Sequence, residues 1–126
     1  MLEVNVTLKL SNQLLTDVLV TAFEGGSNYW YDRLQFFEKD GGKEIYYERG
    51  RAVERIIAGE VYATFCDIED HDEQFKLDLD DIKKNIGLFA NLADGKMVRD
   101  LYDETYDTGT ADVFLQISTF GELVYG

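Results

Sequence analysis

Gln74-Phe75-Lys76-Leu77-Asp78-Leu79-Asp80-Asp81-Ile82-Lys83-Lys84-Asn85-Ile86 carries the change of period on which the fold turns. Phe75, Leu77 and Leu79 alternate with polar residues, the two-residue repeat of a half-buried strand. From Asp78 onward the repeat becomes helical: Ile82, Ile86, Phe89 and Leu92 or Ala93 share a face, and Asp80 and Asp81 sit where a helix start favours carboxylates. Two more helical patterns follow. Lys96 to Asp107 has Val98, Leu101, Tyr102 and Thr105 on its apolar side, and Thr110 to Glu122 has Val113, Phe114, Ile117 and Phe120.

Upstream of this point the strand signals dominate. Leu2, Val4, Val6, Leu8 and Leu10 alternate without a break and predict a first strand. Ser11 offers an N-cap to a helix of about 13 residues, whose apolar face runs from Leu14 to Phe23 and which Gly25-Gly26 stops. Ser27 or Asn28 is placed to cap a short second helix. The middle third reads as sheet: Ile45 and Tyr47, then Val53 to Ala58, then Val61 to Ile68 are rich in β-branched and aromatic residues, with Ala58-Gly59-Glu60 as a hairpin turn. This segregation predicts one α+β domain over residues 1–126, a mostly antiparallel sheet of four to five strands covered by helices, with a helical C-terminal half.

The chain has 126 residues, 45% hydrophobic and 13% aromatic, which supplies a core and argues against intrinsic disorder despite a net charge of −13. No stretch approaches the roughly 20 apolar residues of a membrane span. The amino terminus lacks a basic start followed by an apolar run, so a protein that stays in the cytoplasm is expected. The acidity is lopsided. Residues 1–66 hold ten acids against seven bases, whereas residues 67–126 hold fifteen against five. Such a surface repels phosphate backbones and anionic lipid and favours basic partners. Direct nucleic-acid and membrane binding are thereby disfavoured.

Residues that carry chemistry are few. Cys66 is alone, excluding an internal disulfide and a CxxC pair, and reads as core. His71, the single histidine, stands in a polar loop with carboxylate neighbours, as a general base or as a solvated side chain. No GxSxG, GxxxxGK[ST] or GxGxxG occurs. Asp67, Glu69, Asp70, Asp72 and Glu73 concentrate five carboxylates in that loop, but the spacing departs from an EF-hand and one Cys with one His makes a poor zinc set, so no metal or other cofactor is expected. Tyr29, Trp30, Tyr31, Phe36 and Phe37 form an aromatic cluster that suits either a core or a partner-binding patch.

The sharpest pattern is acidic. Asp100, Asp103, Glu104 and Asp107 fall at i, i+3, i+4 and i+7, so on a continuous helix they line one face opposite Val98, Leu101 and Thr105. Neighbours at that spacing stand roughly 5–6 Å apart at Cβ, which suits Arg and Lys side chains that track phosphates. The alternative is a solubilising face.

Two further stretches, Thr21-Ala22-Phe23-Glu24-Gly25-Gly26-Ser27-Asn28-Tyr29-Trp30 and the ending from Thr110 to Gly126, resemble a family of small uncharacterised proteins of bacterial phages and integrative mobile elements. The resemblance brings no catalytic residues. It implies an accessory protein in a bacterial cytoplasm, and small acidic proteins of that origin include anti-CRISPR and anti-restriction inhibitors. The combined expectation is a non-enzymatic binding protein that occupies a basic, nucleic-acid-binding groove of a host defence protein. Its contacts are Asp100, Asp103, Glu104 and Asp107, then the Asp67 to Glu73 loop. A ligand-binding or enzymatic site near Glu24, Tyr29, Trp30 and Gln116 is the second expectation, and a structural homo-oligomer the third. Small residues at Gly26 and Gly121 are expected to let the first and last helices pack closely.

Overall fold

A computed structural model describes residues 2–3, 7–92 and 95–126. Helix α1 (Asn12–Thr21) runs into a single π turn (Ala22–Gly26), followed by strands β1 (Tyr31–Glu38) and β2 (Glu44–Ile45), helix α2 (Arg49–Ile57), and strands β3 (Val61–Asp67) and β4 (Gln74–Leu77). Helices α3 (Leu79–Leu92), α4 (Gly95–Tyr102) and α5 (Thr108–Phe120) complete the chain. The architecture is α+β, with one antiparallel sheet in the order β2-β1-β3-β4.

Alternation decides which sheet face is covered. Val61, Ala63 and Phe65 of β3 are buried and share one core with Leu15, Val18 and Leu19 of α1, Val53 and Ile56 of α2, Ile82 of α3 and Phe114 and Ile117 of α5. Each fully buried aliphatic or aromatic side chain of this set contributes roughly 1.5–3 kcal/mol. Tyr62, pointing the other way, stacks on Phe37 at 5.4 Å and remains half-buried.

Helix ends follow local chemistry. Ser11 caps α1 by accepting the Leu14 N–H at 3.1 Å, and Asp107 caps α5 by accepting that of Thr110 at 2.9 Å. Gly121, in the left-handed region at φ 73°, terminates α5, its N–H donating to the Ile117 carbonyl.

Four local expectations are corrected. The expected strand Val53 to Ala58 is instead helix through Ile57 with Ala58 as its C-cap, because Ala52, Val53, Ile56 and Ile57 form a buried i, i+1, i+4, i+5 stripe that overrides β-branched preference. Ala58-Gly59-Glu60 is consequently a helix stop: Gly59 (φ 82°) donates to Ile56 and Glu60 to Arg55, the two bonds of a Schellman motif. Ser27 and Asn28 cap no second helix, since the chain turns straight into β1, leaving the Ser27 hydroxyl for α5. Finally, Leu2, Glu3 and residues 7–10 lie outside the sheet, while residues 4–6 of the expected first strand lie outside the described residues. Among the described residues no helix is long and apolar enough to cross a membrane.

Candidate functional site

The stretch from Ser27 to Trp30 follows the π turn and lies against the first turns of α5. Their closeness depends on Gly26, where an added Cβ would fall 2.4 Å from the Thr108 carbonyl oxygen. Asp112, one turn into α5, is buried and accepts three bonds from this stretch: from the Ser27 hydroxyl at 2.7 Å, the Trp30 indole N–H at 2.8 Å and the Tyr29 phenol at 2.6 Å. The Gln116 amide adds donors at 3.2 Å. With no ion-paired cation among the described residues, this buried carboxylate is stabilised by converging neutral donors. Desolvation, followed by the bond to Asp112 and its charge, pushes the Tyr29 phenol up to about 12.

Gln116 continues the network to the carboxy-terminal segment. Its carbonyl oxygen accepts the N–H groups of Val124 and Tyr125, and its amide donates to the Tyr125 carbonyl at 3.0 Å. Tyr125 then stacks on Trp30, ring centroids 4.7 Å apart and nearly parallel, and its hydroxyl donates to Asp67 at 2.6 Å. Burial, reinforced by Asp67, pushes that phenol up. The structure therefore brings together Tyr29, Trp30 and Gln116 of the expected ligand site, but their polar groups are spent on one another and on Asp112. Trp30 and Gln116 are each 1% exposed, so neither offers a ligand contact. Glu24 stands apart from the network, exposed beside a different opening. Of the aromatic cluster, Trp30, Tyr31 and Phe36 are core, while Tyr29 keeps half its surface in solvent.

The expected carboxylate stripe is not one helical face. Helix α4 ends at Tyr102, and the chain reverses through Glu104 at φ 59°, with the Thr105 N–H donating to the Asp100 carbonyl. The apolar side gives out there: Tyr102, Glu104 and Thr105 are exposed, so the positions that would continue the Leu101 face cannot hold another helical turn on the core. Asp100 pairs with Lys96 at 2.6 Å on α4, and Asp103 lies in the turn. Glu104 and Asp107, with Asp17 of α1, instead line an open cleft of about 790 Å³ between α1 and the α4–α5 connection. The Thr110 N–H and hydroxyl hold the Asp107 carboxyl below its usual range, keeping it charged. Among the described residues no cation lies within direct ion-pair distance of Asp17, Asp103, Glu104 or Asp107, although the Lys96 charge reaches Asp107 and adds to holding its carboxyl low.

In the second acidic segment, Asp67 is structural. It accepts the N–H groups of Glu69 and Asp70 and the Tyr125 hydroxyl, and these bonds, Tyr125 foremost, hold its carboxyl low. Asp70 accepts the Asp72 N–H, closing the loop internally, whereas Glu69, Asp72 and Glu73 point outward. His71 meets Asp32 of β1 at 3.1 Å. Among the described residues no group of three or more His, Cys, Asp or Glu converges to hold a metal ion. Cys66 is buried, and burial pushes its thiol up, away from the reactive thiolate.

Sequence reasoning passed over Asp112, Asp17 and Tyr125. For Asp112 a signal existed: it stands four residues before Gln116 on a helix whose same arc carries Ala111 and Leu115, so a polar pair had to be satisfied within a buried face. No such signal marks Asp17, whose partners across the cleft come from a connection about 90 residues later. Comparison with protein-family models, with curated proteins and with solved structures found no match.

Proposed function

We propose that the protein is a non-catalytic binding protein that receives Arg or Lys side chains of a basic partner in the cleft between α1 and the α4–α5 connection. The observation that carries this reading is the set of Asp17, Glu104 and Asp107 around that opening with no direct ion pair to a cation of the described residues, Lys96 acting on Asp107 only from beyond pairing distance. In a chain of net charge −13 such a cleft attracts cations at long range and adds charge-assisted hydrogen bonds on contact. Glu69, Asp72 and Glu73, exposed on the β3–β4 loop, are secondary contacts. The Asp112 network ties both acidic regions to the segment from Ser27 to Trp30, which supports their acting from one rigid body. In its most concrete form, the partner is a nucleic-acid-binding protein of a bacterial host, and the acids take the place of phosphates in its groove.

The test is affinity capture from bacterial lysate at 50 and 500 mM salt, comparing the natural protein with the triple variant Asp17→Asn, Glu104→Gln, Asp107→Asn. Asn caps a helix as well as Asp, so α5 stays intact. A basic, nucleic-acid-binding protein retained by the natural chain and lost both at high salt and with the variant supports the reading. Equal retention by the variant overturns it.

A further inference from the structure

A second opening, of about 360 Å³, lies on the other side of the π turn, between that turn and the start of β1. Its lining includes Glu24, Asp32, Arg33, Leu34, Arg49 and Ile68. Backbone irregularities form both walls. On one side is the π turn itself, closed by the Ser27 N–H donating to the Ala22 carbonyl at 2.8 Å; π turns concentrate at functional sites. On the other, the β1–β3 register slips between Asp32 and Gln35, and Arg33 adopts φ 58°, a conformation that non-glycine residues take rarely. Such a bulge unhooks Arg33 and Leu34 from the ladder and re-aims them. Two departures from regular structure thus meet at one opening, and both are held in place. Tyr31 and Arg49 donate to the Phe23 carbonyl, and the Asp32 carboxylate accepts the Arg33 N–H at 2.9 Å.

The charges at this opening are balanced, unlike those of the acidic cleft. Arg33 and Arg49 have no carboxylate within ion-pair distance among the described residues, and Arg49 uses one Nη1 donor on Phe23 at 3.3 Å, leaving most of its N–H groups unspent. Glu24 is exposed, and Asp32 is shared with His71. The apolar wall is Leu34 with Ile68, the latter 43% exposed. A bare anion approaching the arginines works against the field of a molecule of charge −13, whereas a ligand with both signs of charge does not.

We infer that this opening binds a small zwitterion of the α-amino-acid class, its carboxylate on the Arg33 and Arg49 guanidiniums, its ammonium on Glu24 and an apolar side chain on Leu34 and Ile68. Guanidinium pairs grip carboxylates in bidentate fashion, and the volume suits a molecule of that size.

The experiment is an NMR titration of the full ¹⁵N-labelled chain with L-leucine, L-leucinamide (no carboxylate), 4-methylpentanoate (no ammonium) and inorganic phosphate. L-leucine is expected to shift the amides of Asn28, Arg33 and Ile68 saturably, with at least tenfold weaker binding for each of the other three probes. Arg33→Asn, which tolerates the left-handed backbone, and Arg49→Lys, which keeps a donor toward Phe23, are each expected to weaken L-leucine at least fivefold with the remaining spectrum unchanged. Absence of saturable shifts overturns the inference, as do equal binding of phosphate and an undiminished affinity in both variants.

Discussion

The Asp112 carboxylate on the last helix accepts the indole N–H of Trp30, 82 residues earlier, at 2.8 Å, and the same oxygen accepts the Ser27 hydroxyl. Both donors are buried, so each depends on that one oxygen. Replacing Asp112 with Ala strands them, and a buried unsatisfied donor costs about 1–3 kcal/mol; the expected loss is about 3 kcal/mol or more. In Asp112→Asn the amide oxygen still serves Ser27 and Trp30, and the expected loss is about 1 kcal/mol. Urea unfolding followed by Trp30 fluorescence measures both, and equal losses would count against the assignment of the two donors to one oxygen.

Tyr29 reports the same carboxylate through pH. Desolvation and Asp112 push its phenol up to about 12, against an ordinary value of 10.0. A raised folded-state value favours the neutral phenol in the fold, so its contribution is fully present below pH 10 and is lost as pH rises from 10 toward 12. Tyr29→Phe is expected to flatten part of the alkaline fall in thermal stability. Tyr31, Tyr125 and the Cys66 thiol, also raised by burial, and Lys76, raised against its desolvation by Asp78 and Asp81, contribute to the remainder. Absorbance titration of Asp112→Asn should show one phenol moving back toward 10; an unchanged titration curve would argue that desolvation alone holds Tyr29.

Elements with a strong local signature were legible in the sequence: the Ser11 cap, β3 from Val61, and the change of period after Leu77 all stand where the residues place them. Val53–Ile57 was misread because β-branched residues look alike in a strand and on a buried helical stripe, and only packing against β3 and α1 separates the two. The acidic stripe failed for a related reason. Charge spacing says where carboxylates stand if the helix continues, but continuation depends on apolar cover, which ends at Leu101. The bond of Asp112 with Trp30 and the meeting of Asp17 and Asp107 at one cleft are consequences of topology, and no local pattern encodes them.

Gly26 tests the packing between the π turn and α5. An added Cβ lies 2.4 Å from the Thr108 carbonyl oxygen, a backbone atom that moves only if the start of α5 moves. Overpacking of this kind costs about 1–3 kcal/mol, and Gly26→Ala is expected near the upper end. Its neighbour is the control: a Cβ at Gly25 meets nothing within 4 Å, so Gly25→Ala should be neutral or stabilising by up to about 1 kcal/mol through the unfolded chain. Calorimetric melting of the pair decides it, and similar losses in both would point to the π turn itself and not to the approach of α5. The small residue at Gly121 answers a different neighbour, Asn85 of α3, whose Oδ1 lies 3.2 Å from its would-be Cβ.

At the junction of β4 and α3, Asp78 and Asp81 exchange bonds, each carboxylate accepting the other's backbone N–H at 2.9 Å. Lys76 reaches both carboxylates, at 2.8 and 2.9 Å. Burial alone pushes the Asp78 carboxyl up, yet the Lys76 ammonium and the Asp81 N–H outweigh it and hold Asp78 at about 2. A depressed folded-state value means that the contribution is present above the unfolded value of about 3.9 and is lost as pH falls from about 4 to about 2. Its size is on the order of 2 kcal/mol. Asp78→Asn keeps an acceptor for the Asp81 N–H but carries no charge for Lys76, so it is expected to lower stability at pH 7 and leave it nearly unchanged at pH 2. Circular-dichroism melts at the two pH values measure the difference, and a loss equal at both would mean that Asp78 acts by hydrogen-bond geometry and not by its charge.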